Sequence, residues 1–324
     1  MSDRYARQMV LPEVGADGQA RLGASSVLVI GAGGLGCAVL QYLAAAGVGR
    51  LVIVDHDCVE ESNLHRQPLF RMSELGHAKA IAARDSLRQL NPQIAVEAVV
   101  ERLSPANVAP LTAMADLIID AADSLAATYI LSDACVRVRK PLVSASVLGF
   151  SGYVGAFCGG APSYRAVFPE MPRQAGSCAE AGVLGTAVGV MGTLQAHMAL
   201  ALLLGLAASP LGELISVDFR ALRFGGFSFK AATEPAGAAL AFISPAELAE
   251  GDIVIDLRSL EEAPVSPIPD ALRLRVEEVE RGERRFPAEA RVVLCCRSGV
   301  RAWRAARALE RQGYGHLALV AFGG

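Results

Sequence analysis

The sequence is poor in charge and lacks the marks of several protein classes. Charged residues make up only 19% of its 324 residues, with 30 Lys and Arg against 33 Asp and Glu. The resulting net charge of −3 lacks the basic excess of nucleic-acid-binding proteins, so we expect no nucleic-acid partner. Seven cysteines, an odd number spread thinly over the chain apart from the adjacent Cys295 and Cys296, are typical of a reduced cytoplasmic protein rather than a disulfide scaffold. Residues 1–8 contain no apolar run, which predicts no signal peptide.

One long segment has no charged side chain at all. Residues 181–212 contain no Asp, Glu, Lys or Arg, and this length would be enough to cross a bilayer. The segment also contains Thr186, Gln195, His197 and several glycines, and no cluster of Lys or Arg lies at either end. We therefore predict a buried or interface helix and expect no membrane partner.

Elsewhere, short Val- and Ile-rich segments alternate with helical patterns. This order predicts an α/β fold, a Rossmann-like doubly wound parallel sheet covered on both faces, followed by a small second α/β domain. The Ala-, Pro- and Gly-containing segment 231–237 marks the change. We predict a first domain over residues 1–230, a linker over 231–240 and a second domain over 241–324. The predicted strands are 26–30, 51–54, 95–100, 117–119, 142–144, 253–256 and 292–294, and the predicted helices are 35–46, 78–90, 128–138 and 300–312.

A glycine-rich turn joins the first predicted strand to the first helix. Gly31 permits a tight turn, Gly33 lets the backbone approach a phosphate, and Gly36 lets helix and strand pack closely. The helix N-terminus then offers free N–H donors to an anion. Asp55 ends the next strand, nineteen residues after Gly36, where an acid that binds a ribose is expected. The pattern predicts a nucleotide site.

The residues beyond the second strand favour a triphosphate over a dinucleotide. Arg66 and Lys79 supply fixed positive charges, and Asp123 follows the strand 117–119 at its carboxyl end. A triphosphate requires several cations and a carboxylate for Mg²⁺, which predicts ATP and Mg²⁺ as ligands. An NAD-dependent oxidoreductase stays open as an alternative, although the sequence offers no acid or base for hydride transfer.

Taken together, these motifs resemble the ThiF/MoeB/HesA branch of the ubiquitin-activating-enzyme superfamily. Members of this branch adenylate the C-terminal glycine of small ubiquitin-like sulfur carriers. The resemblance covers about residues 4–225. It rests on residues 4–8, 31–36, 54–57, 62–67, Lys79, 120–124 and 177–183.

The resemblance implies a role for each matching residue. Asp123 would be the acid linked to Mg²⁺, and Arg7 would reach the triphosphate from the partner subunit of a homodimer. Cys178 would be the cysteine of a mobile loop that can bond to the carrier. The nucleotide-binding set would comprise Gly31, Gly33, Gly34, Gly36, Asp55, Asn63, Arg66, Gln67 and Lys79.

The sequence departs from the family pattern at the structural zinc site. The usual first Cys-x-x-Cys pair is replaced by Ser163 and Ala166, and no second pair occurs between Asp218 and Glu234. We therefore predict that zinc is absent. Ser124 replaces the usual Asn after the acid, and Tyr129 lies near a position that is often basic. These departures leave a non-catalytic carrier-binding scaffold as a second alternative.

The last 84 residues or so resemble a shortened rhodanese domain. The resemblance rests on residues 256–258, 296–301 and 313–314, and it makes Cys296 the cysteine that carries a persulfide. Loop N–H groups and nearby arginines are expected to lower the pKa of Cys296, whereas Cys295 is expected to pack inside its strand. The unit stops where rhodaneses usually continue, so its activity stays open.

The sequence as a whole predicts a cytoplasmic, homodimeric sulfur carrier adenylyltransferase. Its partners would be a ThiS- or MoaD-like carrier that ends in Gly-Gly and a persulfide sulfur donor. Residues 144–152 resemble the thiamine-pathway branch more closely, with the molybdopterin pathway left open.

Overall fold

The computed structural model describes residues 3–172, 182–236 and 239–323. Two β-sheets organise these residues. The strands are β1 (Ser26–Ile30), β2 (Arg50–Val54), β3 (Ala95–Val99), β4 (Leu117–Asp120), β5 (Pro141–Leu148), β6 (Ser151–Cys158), β7 (Glu213–Asp218), β8 (Arg223–Ser228), β9 (Ala241–Phe242), β10 (Ile253–Asp256), β11 (Leu272–Arg273), β12 (Val292–Cys296) and β13 (Leu317–Ala321). The helices are α1 (Ala6–Met9), α2 (Gly15–Ala24), α3 (Gly34–Ala46), α4 (Lys79–Leu90), α5 (Val108–Ala113), α6 (Leu125–Val138), α7 (Tyr164–Val167), α8 (Gly185–Leu204), α9 (Val276–Glu280) and α10 (Val300–Arg311).

The first sheet has eight strands in the order β3-β2-β1-β4-β5-β6-β7-β8. Strands β1 to β5 are mutually parallel, and Ile30 at the end of β1 pairs with Val54 on one side and Asp120 on the other. The chain order reverses between β1 and β4, which opens a crevice at the carboxyl ends of these strands. The predicted α/β architecture is confirmed.

The antiparallel half of this sheet was not predicted. Strand β5 extends well beyond the predicted segment 142–144 because β6 pairs with its whole length, from Pro141 to Leu148. Every residue of β8 is exposed, so the strand has no buried face and no alternation to recognise in the sequence.

The uncharged segment forms α8, a core helix, as predicted. It packs against α3 and β5, and a Cβ on Gly192 would meet the carbonyl oxygen of Leu35 at 2.6 Å. Among the described residues, α8 is the one helix long and apolar enough to span a membrane, and half of that apolar window is buried in the protein. Its contacts in the core account for the apolar residues of the buried half.

The second sheet is fully parallel, in the order β11-β10-β12-β13-β9, and packs against α6 of the first unit. Tyr129 on α6 meets Trp303 on α10 with ring centroids 5.1 Å apart. Arg165 forms an ion pair with Asp133 and also donates to the carbonyl oxygen of Leu240 at 3.0 Å. One buried apolar cluster therefore continues through both units.

Candidate functional site

The glycine-rich turn has the geometry expected of it. Gly31 has a φ of +95°, and a Cβ there would meet the carbonyl oxygen of Ala121 at 2.6 Å, so only glycine fits. A Cβ on Gly36 would collide with the Gly31 carbonyl oxygen. A Cβ on Gly33 would meet nothing closer than Nε2 of Gln67 at 3.8 Å, which leaves room for a phosphate beside the backbone.

Helix α3 starts in this turn. Gly33 caps it without a side-chain hydrogen bond, and its first turn contains no acidic residue. The first N–H groups of a helix have no partner within the helix, and they carry its positive dipole end. This terminus therefore offers donors and positive potential to an anion.

Asp55 connects the end of β2 to the turn. Its Oδ2 accepts from the backbone N–H of Ala32 at 2.7 Å, and its Oδ1 accepts from that of Asp57 at 2.8 Å. Burial raises the pKa of Asp55, and these two hydrogen bonds oppose the shift. Each carboxylate oxygen keeps a further lone pair, so a ribose hydroxyl can still donate to it.

Lys79 brings a positive charge to the same edge. It is the first residue of α4 and only 6% exposed, and its Nζ lies 3.1 Å from Oδ2 of the exposed Asp57. A buried ammonium requires such a partner. The role of Asp57 as this partner was missed, although its acidic position two residues after Asp55 was a visible signal.

The turn between β2 and α4 contains Asn63, Arg66 and Gln67. The Arg66 guanidinium donates to the Asn63 side chain, which in turn donates to Glu60 at 3.0 Å. Gln67 is 3% exposed, and its Oε1 has no hydrogen-bond partner among the described residues. These three residues thus present one oriented cation and one unsatisfied polar group beside the glycine-rich turn.

Asp123 is exposed in the loop between β4 and α6. The loop is attached at Asp120, whose Oδ1 accepts from the N–H of Ala122 at 3.3 Å. Burial raises the pKa of Asp120 to about 6. Asp120 was also missed: a strand that is apolar until a final Asp was the available signal.

Arg7 does not reach the glycine-rich turn of its own chain. Its neighbour Gln8 donates to the carbonyl oxygen of Ala46 at 2.8 Å, and Tyr5 lies against Gly47, the residue that ends α3. Helix α3 begins at the turn and has 13 residues, which makes it about 20 Å long. Arg7 therefore lies near the opposite end of α3.

Cys296 ends β12 in a pocket of backbone donors. Its Sγ accepts from the N–H groups of Gly299 at 3.1 Å and Ala302 at 3.4 Å. The side chain is fully buried, and this burial raises its pKa although the backbone donors and Arg301 act in the opposite direction. The expected lowering of the Cys296 pKa is therefore wrong, because the loss of solvation outweighs the donors.

The other two cysteines of interest differ from Cys296. Cys295 is also fully buried and has a pKa raised to about 12 by burial, in agreement with the expectation that it packs within its strand. Cys178 lies outside the described residues.

Ser163 and Ala166, at the positions where the family pattern has its first zinc ligands, take part in a small hydrogen-bond network with Glu234. Both the N–H and the hydroxyl of Ser163 donate to the carboxylate of Glu234, at 2.7 and 2.5 Å. The hydroxyl also accepts from the N–H of Ala166 at 3.2 Å. The absence of zinc itself stays a prediction.

The fold and the site together define a Rossmann-like α/β protein with a glycine-rich turn of the kind that binds nucleotides. Positively charged side chains lie near the carboxyl ends of its parallel strands. The chain belongs to the ThiF family, whose model matches residues 5–236. The match ends before the second sheet, so the resemblance of that unit to a rhodanese stays a prediction.

Relatives of this chain have names that describe adenylyltransferases. "Adenylyltransferase and sulfurtransferase MOCS3" of Sus scrofa is 47% identical over 218 residues, which are 66% of this chain and 48% of that protein. "Sulfur carrier protein adenylyltransferase" of Thermus thermophilus is 46% identical over 224 residues, which are 67% of this chain and 83% of that protein. The chain thus spans about half the length of its MOCS3 relatives.

Solved structures share the fold. E. coli MccB with MccA-N7isoASN superposes with a TM-score of 0.64 at 20% identity, over 74% of each chain. PaaA superposes with a TM-score of 0.59 at 23% identity, over 70% of this chain and 73% of that one.

Proposed function

We propose that this protein uses ATP and Mg²⁺ to adenylate the C-terminal glycine of a ubiquitin-like sulfur carrier protein. One observation carries the proposal: the glycine-rich turn, Arg66, Lys79 and Asp123 all belong to segments that follow the carboxyl ends of the parallel strands β1, β2 and β4. The names of the relatives from Sus scrofa and Thermus thermophilus support the same activity.

The described residues fit a nucleotide. The space beside Gly33 and the unpaired Oε1 of buried Gln67 are features that a bound ligand would fill or satisfy. Asp55 would accept from the ribose. Asn63, Arg66, Lys79 and the N-terminus of α3 would hold the phosphates.

The chemistry depends on positive charge more than on proton transfer. The carrier's terminal carboxylate is ionised at neutral pH and needs no general base to attack the α-phosphate. Its approach to ATP is opposed by repulsion between anions, which Arg66, Lys79 and the end of α3 offset. Asp123 would hold Mg²⁺, which supplies further neutralisation of the phosphates when bound.

A homodimer would complete the site. Arg7 is exposed and lies at the far end of α3 from its own glycine-rich turn, so it can serve such a site only in a second copy of the chain. We propose that each subunit lends Arg7 to the ATP site of its partner.

The second unit would deliver sulfur. In this proposal residues 1–230 form the adenylating domain, 231–240 the linker and 241–324 a rhodanese-like domain. The Cys296 thiolate would take sulfane sulfur from a persulfide donor, and the donor's thiolate would leave. The terminal sulfur of the Cys296 persulfide would then attack the carrier's acyl group, release AMP and form an acyl disulfide. Cys178 would resolve that bond by bonding to Cys296 and freeing the carrier thiocarboxylate, and a dithiol reductant would then reduce the Cys178–Cys296 disulfide to two thiols.

The Cys296 loop lies against the adenylating unit. A Cβ on Gly299 would meet the Cβ of Ala126 at 3.3 Å, and Ala126 follows the Asp123 loop on α6. This placement supports transfer between the two sites within one chain. The pathway would be that of thiamine or molybdopterin, in the cytoplasm.

The test is ATP–pyrophosphate exchange by the purified protein with candidate carriers. Exchange is expected only when ATP, Mg²⁺ and a carrier with its terminal Gly-Gly are all present, and a carrier lacking the last glycine is the matched control. A protein that binds the carrier tightly but never exchanges pyrophosphate would instead be a scaffold. Reduction of NAD with a small substrate would favour the oxidoreductase alternative.

A further inference from the structure

The loop that carries Asp123 is held at its start by hydrogen bonds to one buried carboxylate, that of Asp120. The Asp120 side chain is 1% exposed and ends β4. Its Oδ2 accepts from the hydroxyl of Ser144 on β5 at 2.8 Å, and its Oδ1 accepts from the N–H of Ala122 at 3.3 Å. The carboxylate therefore links the neighbouring strand to the start of the loop.

The backbone of Asp120 is held as firmly as its side chain. Nε2 of the buried Gln195 on α8 donates to the Asp120 carbonyl oxygen at 2.6 Å and to that of Val143 at 3.0 Å. The next residue, Ala121, places its carbonyl oxygen where a Cβ on Gly31 would lie. Asp120 thus sets the position of the Asp123 loop relative to the glycine-rich turn.

This arrangement is costly for stability alone. A buried carboxylate without a cationic partner is unfavourable compared with an apolar side chain of similar size. Asp120 accepts from the Ser144 hydroxyl and the Ala122 amide, a hydrogen bond from Thr128 also opposes the rise of its pKa, and among the described residues no lysine or arginine hydrogen-bonds to it. The contacts that the carboxylate makes are local, and they serve to orient the loop.

We propose that Asp120 is a positioning residue for adenylyl transfer: it holds the loop so that Asp123 meets Mg²⁺ and the phosphates, and Ser144 fixes the rotamer of Asp120. This inference rests on the proposed function, because it assigns Asp123 its role there. Asp120 itself touches no substrate.

The test is a double-mutant cycle between Asp120 and Asp123. Asp120→Ala should lower kcat of pyrophosphate exchange about 10- to 100-fold, which is the loss typical of a displaced catalytic group. The variant should also require a higher Mg²⁺ concentration for half-maximal exchange. Asp120→Asn keeps the shape and the acceptor for Ala122, so it should restore most of the rate. The double variant Asp120→Ala/Asp123→Ala should be no slower than Asp123→Ala alone, because both changes remove one function.

The control is Ser132→Ala, set beside Ser144→Ala. Ser132 is also fully buried, and its hydroxyl accepts from the N–H of Tyr164 at 3.1 Å, remote from the Asp123 loop. Ser144→Ala should raise the Mg²⁺ requirement, whereas Ser132→Ala should affect only the melting temperature. If Asp120→Ala does not fold, Asp120→Asn and Ser144→Ala still carry the comparison.

A calorimetric readout needs no carrier. Mg²⁺ should strengthen ATP binding to the wild type, and Asp120→Ala should lose this enhancement as Asp123→Ala does. An unchanged enhancement in folded Asp120→Ala, or rate losses that multiply in the double variant, would overturn the inference. A wild type that binds Mg²⁺ and ATP as expected but adenylates no carrier would refute the proposed function instead.

Discussion

Each of the two sheets has a strand that ends in a fully buried aspartate, and the two carboxylates differ in their partners. Asp120 ends β4 and receives a hydroxyl and an amide, and burial raises its pKa to about 6. Asp256 ends β10, and Arg258 donates to both of its oxygens at 3.0 and 2.8 Å. Burial acts to raise the pKa of Asp256 as well, but the hydrogen bonds and charge of Arg258, with the nearby Arg273, lower it overall.

The difference indicates that an aspartate at the end of a parallel strand has a different role in each of the two sheets. At the second sheet the acid and its arginine neutralise each other, so that neither buried charge is left unpaired. At the first sheet no arginine among the described residues hydrogen-bonds to Asp120, and Arg66, which donates to Asn63, lies with the N-terminus of α3 beside the glycine-rich turn.

Asp123→Ala should remove the activity while the fold stays intact. The side chain is exposed, so its loss leaves no cavity, but the loss of a charge partner for Mg²⁺ should slow exchange at least about 100-fold. Initial rates of ATP–pyrophosphate exchange measure the effect, and circular dichroism checks the fold. Wild-type rates in Asp123→Ala would contradict the assigned site.

Mixtures of two inactive variants should recover activity. Arg7→Ala and Lys79→Ala each remove a phosphate partner, but a hybrid dimer keeps one site with both residues if Arg7 acts in the partner's site. Exchange rates of the mixture, after subunit exchange is confirmed by native mass spectrometry, should exceed those of either variant. No recovery despite confirmed hybrids would place Arg7 outside the site.

Arg258→Ala should destabilise the second unit much more than Ser144→Ala destabilises the first. Removal of Arg258 leaves the buried Asp256 with Arg273 alone, at 3.7 Å, and breaking a buried ion pair costs up to about 3–5 kcal/mol. Loss of the Ser144 hydroxyl removes one hydrogen bond, at a cost of about 1–3 kcal/mol. Urea unfolding measures both free energies, and equal losses would contradict the contrast between the two acids.

The two acids should also respond to pH in opposite directions. Since the folded-state pKa of Asp120 is raised, its contribution to stability is present below its ordinary pKa of 3.8 and is lost as pH rises through about 6. The contribution of Asp256 is present above pH 3.8 and is lost as pH falls below that value, because its folded-state pKa is lowered. Unfolding free energies of Asp120→Asn and Asp256→Asn across pH 3–8 should lose these opposite slopes.

Sulfur loading should identify Cys296 and should accelerate with pH. After thiosulfate treatment, mass spectrometry should show one added sulfur that is lost in Cys296→Ser and kept in Cys295→Ser. Because the pKa of Cys296 is raised, the thiolate fraction and the loading rate should still increase above pH 8. An adduct that survives in Cys296→Ser would contradict the assignment, and a wild type without any adduct would make the second unit a binding module.

The parts of the fold that follow local patterns could be predicted from the sequence. Strands β1 and β10 lie where the apolar runs placed them, and the glycine-rich turn was recognised because Gly31 and Gly36 are needed for backbone geometry alone. Strand β8 has no buried face, so it could not be predicted from alternation.

The missed features of the site depend on which side chains the fold brings together, and the sequence shows the acidic positions but not their partners. Asp120 becomes distinctive only when β5 and α8 enclose it, and Asp57 only when α4 places Lys79 beside it. The pKa of Cys296 was predicted in the wrong direction because its loop motif shows the donors but not the loss of solvent.

The most direct measurement is mass spectrometry of the carrier after incubation with the protein, ATP and Mg²⁺. The carrier's mass should increase by one AMP, and the increase should be absent with Asp123→Ala and with a carrier that lacks its terminal glycine. A carrier that binds but never gains AMP, under conditions where the wild type is folded and binds ATP, would contradict the proposed adenylation.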